Sequence, residues 1–304
     1  PSGRILDASA FCLQKGRDCA IIRAIKRGVL TMQCGISTSC FYPQETAEAL
    51  SALRGAGVET VEIFLNTFSE LELSYTERLR SVLQDAGMRA AALHPFTSGM
   101  ETFFFASEYG GRLEDGLRIY RRYFEVCRVL GIPRVVFHGD YRQTPFPFQR
   151  HCENYLLLRR TAREYGVDFC QENVVRCKCG LPEYVRQMRE YTGDDVSFVL
   201  DVKQQRRAGV QLEEMLDAMR GKIAHVHLSD YTQQNDCTAP GTGGLALEPF
   251  FRELRRGGFA GDIIIELYRS GFSSMDELLA SAAMVNKIYA GCSVASGSEK
   301  EQCP

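Results

Sequence analysis

No apolar run in this 304-residue chain approaches the roughly 20 residues needed to cross a bilayer, so no membrane-spanning helix is expected. An excess of one charge sign is also missing: 36 Lys and Arg face 38 Asp and Glu, for a net charge of −2. That leaves no general electrostatic pull toward nucleic acid or an anionic membrane. No Gly-rich dinucleotide fingerprint follows an early strand, which removes the usual mark of a doubly wound nucleotide-binding sheet. The 12 cysteines form no dense small-domain framework, and no secretory signal is recognisable. Reduced thiols in a cytoplasmic protein are the expectation. Cys177-Lys-Cys179 is the tightest pair, but no second pair stands at zinc-knuckle spacing, so it reads as structural.

What the chain has instead is a strand–helix alternation repeated eight times. Short apolar runs without polar alternation, as in strands buried on both faces, lie near 33–38, 58–65, 88–95, 134–140, 168–173, 196–202, 223–230 and 261–268. Helical patterns fill the gaps. Pro43 is expected to open the first helix, Gly55-Ala-Gly57 to close it, and Gly87, Gly131, Gly166, Gly193, Gly221 and Gly257-Gly258 to close later ones. Eight such units over residues 32–290 predict one α/β domain, a closed (β/α)8 TIM barrel. Residues 1–31 are expected to be an N-terminal extension and 291–304 a disordered tail.

Six of the runs end in a residue able to bind a divalent metal: Met88–His94, Arg134–His138, Asp168–Glu172, Val196–Asp201, Ile223–His227 and Asp262–Glu266. In a barrel of this kind strand C-termini carry the active site. A lone carboxylate after an apolar strand is costly unless paired or metal-bound. Taken together, Glu172, Asp201, His227 and Glu266 form a hard, oxygen-rich ligand set that suits Mn²⁺, Mg²⁺, Co²⁺ or Zn²⁺. Alternate strand residues share a face, so His225 and His227 point the same way. Asp230 is expected either to accept a backbone hydrogen bond in its loop or to orient His227. His151, in a helix, is expected at the surface. The aromatic stretch Phe96–Tyr109 is read as packing on the barrel rim or covering the site.

The segments Ala92-Leu-His-Pro95, Val136-Phe-His-Gly139, Gln171-Glu-Asn173, Val199-Leu-Asp201, His225-Val-His-Leu-Ser-Asp230, Pro240-Gly-Thr-Gly243 and Ile263-Ile-Ile-Glu266 carry a resemblance. From Gln33 to Tyr289 the chain resembles the xylose-isomerase-like TIM barrels, which include sugar-phosphate isomerases and epimerases and the endonuclease IV type AP endonucleases. The resemblance implies that Glu172, Asp201, His227 and Glu266 hold one divalent metal. It also places His94, His138 and Glu172 where a second could bind. Gln204 and Asn235-Asp-Cys237 stand where the AP endonucleases carry ligands of a third zinc. The implied activity is isomerisation or epimerisation of a sugar or sugar-phosphate, a small-molecule substrate, with Glu172 and Glu266 as the acid/base pair. His94, His138, Lys203, Gln204 and Arg269 are the candidate substrate-binding residues; Gln205 is a further donor, and Arg269 is the candidate for an anionic substituent. The alternatives are an AP-endonuclease-like zinc phosphodiesterase, disfavoured along with nucleic-acid binding by the missing ligands and the net charge, and a non-catalytic carbohydrate-binding barrel. A homo-oligomer is compatible with all three.

Overall fold

The computed structural model describes residues 33–292; the extension expected over 1–31 and residues 293–304 of the expected tail lie outside it. Eight parallel strands close a barrel in chain order: β1 (Cys34–Ser37), β2 (Thr60–Phe64), β3 (Arg89–His94), β4 (Arg134–Phe137), β5 (Asp168–Glu172), β6 (Ser197–Asp201), β7 (Ile223–Leu228) and β8 (Asp262–Ile265). Ile36 of β1 pairs with Val61 of β2 on one side and Ile265 of β8 on the other, so the sheet has no edge. No helix of the described residues is long and apolar enough to cross a membrane.

The strands have a period of two, and this layers the barrel interior. Ala92, Val136, Cys170 and Val199 pack together as a cluster of small buried side chains. The residues two places further along the same strands or just beyond them are His94, His138, Glu172 and Asp201. Each therefore stands one layer above the apolar plug, at the C-terminal mouth. Outward-facing Phe137 and Phe169 pack instead on Tyr120 and Tyr155 of the surrounding helices.

The opposite end is closed by charge. Asp262 accepts from Arg89 at 2.7 and 2.9 Å and from Arg134 at 2.9 Å, tying β8 to β3 and β4 across the barrel. Burial opposes ionisation of Asp262, but the two guanidinium groups hold its pKa below the usual value of 3.8. The folded-state pKa is thus below the unfolded one. The stabilisation is present above pH 3.8 and is lost as the pH falls through the folded value. Asp262→Asn is expected to destabilise the fold by about 1–2 kcal/mol near neutral pH, since it removes the charged partner of two guanidinium groups that are only partly buried. Urea unfolding at pH 7 and pH 3 checks both the size and the narrowing of the difference.

Some local expectations are corrected. Pro43 does not open the first helix: a 3-10 turn, Thr38–Phe41, follows β1, and the helix runs Thr46–Gly55. His151 is buried, not at the surface, with its ring 5.7 Å from that of Tyr184. The stretch after β3 is a 3-10 turn and a short helix, Glu101–Phe105, that buries Phe104 and Phe105 and exposes Phe103. The nine described cysteines are free and buried. Cys177 Sγ faces Gly139 O while Cys179 Sγ faces Met188 Sδ, so the two thiols make separate packing contacts.

Candidate active site

The sequence Gln171-Glu-Asn173 builds the centre of the site. Gln171 Nε2 donates to His138 O at 2.9 Å and Phe137 O at 3.2 Å, which ties it to the end of β4. Asn173 exchanges two hydrogen bonds with the backbone of Asp201, at 2.7 and 3.0 Å, which ties it to the end of β6. Glu172, between them, points inward with neighbouring site residues fixed on both sides. Asp201 divides its two oxygens. Oδ1 accepts from Gln204 N at 2.8 Å and caps the short helix Val202–Arg207, a service typical of Asp at an N-cap. Oδ2 is left facing the cluster.

The structure brings Glu172, Asp201, His227 and Glu266 together, each with one ligand atom within 4.8 Å of the others. His227 Nδ1 lies 3.3 Å from Glu172 Oε1, 3.5 Å from Glu266 Oε2 and 3.9 Å from Asp201 Oδ2. Glu172 Oε2 and Asp201 Oδ2 are buried without a hydrogen-bond partner. His138 Nε2 comes within 2.9 Å of Glu172 Oε2 without the alignment a hydrogen bond requires, and it also lies 3.1 Å from His94 Nε2. Orphaned carboxylate oxygens beside an imidazole nitrogen are the donor set a divalent cation fits. His94, His138 and Glu172 form an adjoining group of the same spacing.

The electrostatics agree with that fit. Burial and the neighbouring carboxylates push Asp201 up to about 6 against the pull of Lys203. Burial disfavours a charged His227, yet Glu266 and Glu62 hold its pKa well above the ordinary histidine value. Negative charge concentrated this deeply requires positive charge nearby. Lys203 supplies part of it, with Nζ 3.2 Å from Glu266 Oε2 and 3.4 Å from Asp201 Oδ2.

Glu62 is the residue the sequence reading missed. It is fully buried on β2, and one oxygen, Oε2, meets His225 Nε2 and His227 Nε2, each at 2.9 Å. Ser37 Oγ donates to Oε1 at 3.3 Å. Once a cation displaces the Nδ1 proton, an Nε2–H directed at Glu62 would leave the His227 Nδ1 lone pair facing the acidic cluster. This is the carboxylate–histidine arrangement that fixes tautomer and ring angle at metal sites. Asp230 does not share that task. Its four bonds go to the backbone N–H groups of Tyr231, Gly241, Gly243 and Leu245, at 2.8–2.9 Å. A Cβ on Gly243 would lie 2.1 Å from Tyr231 O, which explains the glycine there.

A cavity of about 370 Å³ opens above the cluster. His94, His138, Glu172, Lys203, Gln204 and Glu266 line it, with Phe64, Asn66, Arg176 and Tyr268 among others. Asp201 and His227 lie beneath. Two of the expected substrate contacts are elsewhere. The Arg269 guanidinium donates to Phe272 O at 3.1 Å and packs over the Phe272 ring, because a 3-10 turn, Arg269–Gly271, carries it away from the cavity. Gln205 bonds to Val210 O and lines a separate cavity on the barrel flank. Gln204 lines the cavity while its Oε1 accepts from Val175 N at 3.1 Å, and Asp236 pairs with Arg207 at 2.6 Å. Among the described residues, none of the His, Cys, Asp and Glu groups that could hold a metal includes Asp236 or Cys237.

The sequence profile of the family described as xylose isomerase-like TIM barrel matches residues 50–288. The chain belongs to that family. A candidate hydroxypyruvate isomerase of Streptomyces coelicolor is 25% identical over 253 residues, covering 74% of this chain and 85% of that protein. Among solved structures, 3-keto-D-glucoside 4-epimerase from E. coli superposes with a TM-score of 0.67 at 17% identity, covering 84% of this chain and 100% of the other. A Mycobacterium smegmatis protein of the same barrel type, solved with magnesium, gives a TM-score of 0.68 at 15% identity, covering 86% and 98%. At these identities the superpositions show a shared fold.

Proposed function

We propose that this chain is a divalent-metal-dependent isomerase or epimerase of a sugar or sugar derivative. One observation carries the reading: Glu172 and Glu266 both line the cavity, while Asp201 and His227 complete a four-donor group at its floor. The names of the Streptomyces relative and the E. coli neighbour, an isomerase and an epimerase, support it.

A cation held by Glu172, Asp201, His227 and Glu266 would supply Lewis-acid polarisation of a substrate carbonyl. The chain's own groups move the protons. One of the two glutamates takes the proton from the carbon next to the carbonyl, and the C–H electrons form the enediolate double bond as the carbonyl electrons pass to oxygen. The other glutamate returns a proton. Delivery to the opposite face of the same carbon gives an epimer; delivery to the neighbouring carbon gives an isomer. For the isomer, a proton must also pass between the two oxygens. His94 and His138, 3.1 Å apart at Nε2 and both in the cavity wall, are placed to carry it. Lys203 and Gln204 offer donors to substrate hydroxyls. The His94–His138–Glu172 group permits a second cation.

Mn²⁺ is expected to raise the melting temperature by several degrees, because a ligand at 100 times its dissociation constant stabilises a fold by about 2.7 kcal/mol. Thermal melts with Mn²⁺ and with a chelator check this; identical melts would count against a metal site. The activity itself is tested by incubating the Mn²⁺-loaded protein with ketohexoses, ketopentoses and their phosphates. Carbon-13 NMR should reveal an epimer or isomer of at least one. Cleavage of an abasic duplex without sugar conversion would favour the phosphodiesterase instead.

A further inference from the structure

Arg176 lines the cavity four residues after Glu172, on the loop that leaves β5. Among the described residues, no carboxylate lies within ion-pair distance of its guanidinium, although many of the other described arginines have one. The loop is held in place. Arg142 N donates to Arg176 O at 2.9 Å, Lys178 N donates to Asp140 O at 2.8 Å, and Lys178 Nζ pairs with Asp140 Oδ2 at 2.5 Å. The guanidinium lies over the Tyr141 ring, 5.3 Å from its centroid, within cation–π range.

The other cation in the wall, Lys203, is engaged by Asp201 and Glu266. Arg176 is exposed at the cavity mouth with no carboxylate paired to it among the described residues, which leaves its guanidinium open to a group on an entering substrate. A planar guanidinium fork matches a carboxylate or phosphate through paired charge-assisted hydrogen bonds.

We infer that the substrate is a hydroxy-carbonyl compound bearing an anionic group, and that Arg176 binds that group and sets the enzyme's specificity. The inference rests on the proton-transfer reading above. It also moves the anion contact from Arg269, which is occupied by Phe272, to the loop after β5.

Three probes share the HOCH₂–CO– unit and differ at the third carbon: hydroxypyruvate bears a carboxylate, dihydroxyacetone phosphate a phosphate, and dihydroxyacetone no charge. Deuterium incorporation from D₂O is measured for each with the Mn²⁺-loaded protein, the uncatalysed rate being subtracted. At least one anionic probe should exchange with a kcat/KM about tenfold or more above dihydroxyacetone, the scale of one charge-assisted contact. Which of the two does so distinguishes carboxylate from phosphate. Arg176→Gln should remove most of that preference through KM, Arg176→Lys should keep part of it, and Mn²⁺ affinity should stay unchanged in both. Equal exchange of all three probes, or a preference untouched by Arg176→Gln, would overturn the inference and leave the proton-transfer reading standing. Exchange with none of them would overturn the inference, while the proton-transfer reading is decided by the ketohexose and ketopentose incubations.

Discussion

Glu172→Gln is expected to lower the rate of substrate carbon–hydrogen exchange by about a thousandfold at saturating Mn²⁺, within the range that a positioned acid/base group contributes. The amide is nearly isosteric but cannot accept the proton. Glu172 is held in place by neighbours that the substitution does not touch, Gln171 against β4 and Asn173 against β6. The backbone should therefore keep its position. His138 and His227, which approach the two Glu172 oxygens at 2.9 and 3.3 Å, would lose a charged partner, and cation affinity should weaken as well. The two effects separate when Mn²⁺ occupancy is measured by electron paramagnetic resonance on the same samples. A fully occupied variant that loses less than tenfold would show that Glu172 is not an acid/base group.

The second large effect is expected at a residue that never meets the substrate. Glu62→Ala should weaken Mn²⁺ binding by about a hundredfold and Glu62→Gln by about tenfold, the range measured when the partner of a metal-ligating histidine is removed. The cause is orientation. His227 can offer Nδ1 to a cation only while its Nε2 carries the hydrogen, and Glu62 Oε2, 2.9 Å from Nε2, accepts that hydrogen. Without the carboxylate, the ring can rotate or take the other tautomer. Removing Glu62 also leaves two buried imidazoles short of an acceptor, so Glu62→Ala should be less stable by roughly 2–5 kcal/mol. Glu62→Gln keeps the volume and one acceptor oxygen, which makes it the cleaner test of orientation. Manganese titrations of both variants decide the matter, and unchanged affinity in Glu62→Gln and Glu62→Ala would remove Glu62 from the site.

The contrast between Glu62 and the four residues at the cavity floor shows what a sequence can disclose. Glu172, Asp201, His227 and Glu266 each close an apolar run, so their polarity is conspicuous at a place where barrels carry active sites. The strand period of two then puts Glu172 and Asp201 in the layer above Cys170 and Val199. Glu62 has no such position. It sits in the middle of Thr60-Val-Glu-Ile-Phe64, and its partners are 163 and 165 residues away; closure of the barrel is what makes them neighbours. An ionisable residue inside an otherwise apolar run was the available signal.

His151 was legible and misread. Its spacing to Tyr155, Leu158 and Ala162 follows the helical period, and all three are buried, so the pattern places His151 on the inward face. Arg269 and Arg176 were not separable beforehand. Each follows a strand-end glutamate by a few residues, and the direction of each side chain depends on loop geometry. Arg269 is turned onto Phe272 by the turn after β8, whereas Arg176 is aimed over the cavity by a loop bonded back to Asp140 and Arg142. The short helix Val202–Arg207 likewise depends on Asp201 using one oxygen as a cap.

The central claim is that Glu172 and Glu266 pass a proton through solvent-exchangeable positions beside a bound divalent cation. The most direct measurement is proton and deuterium NMR of a converted substrate in D₂O with the Mn²⁺-loaded protein. The account predicts one carbon-bound deuterium at the reacting carbon, appearing with Mn²⁺ and lost on chelation or in the Glu172→Gln, Glu266→Gln double variant. A product formed at full rate that retains its original hydrogen would contradict it, because the hydrogen would then have moved between carbons without visiting either glutamate.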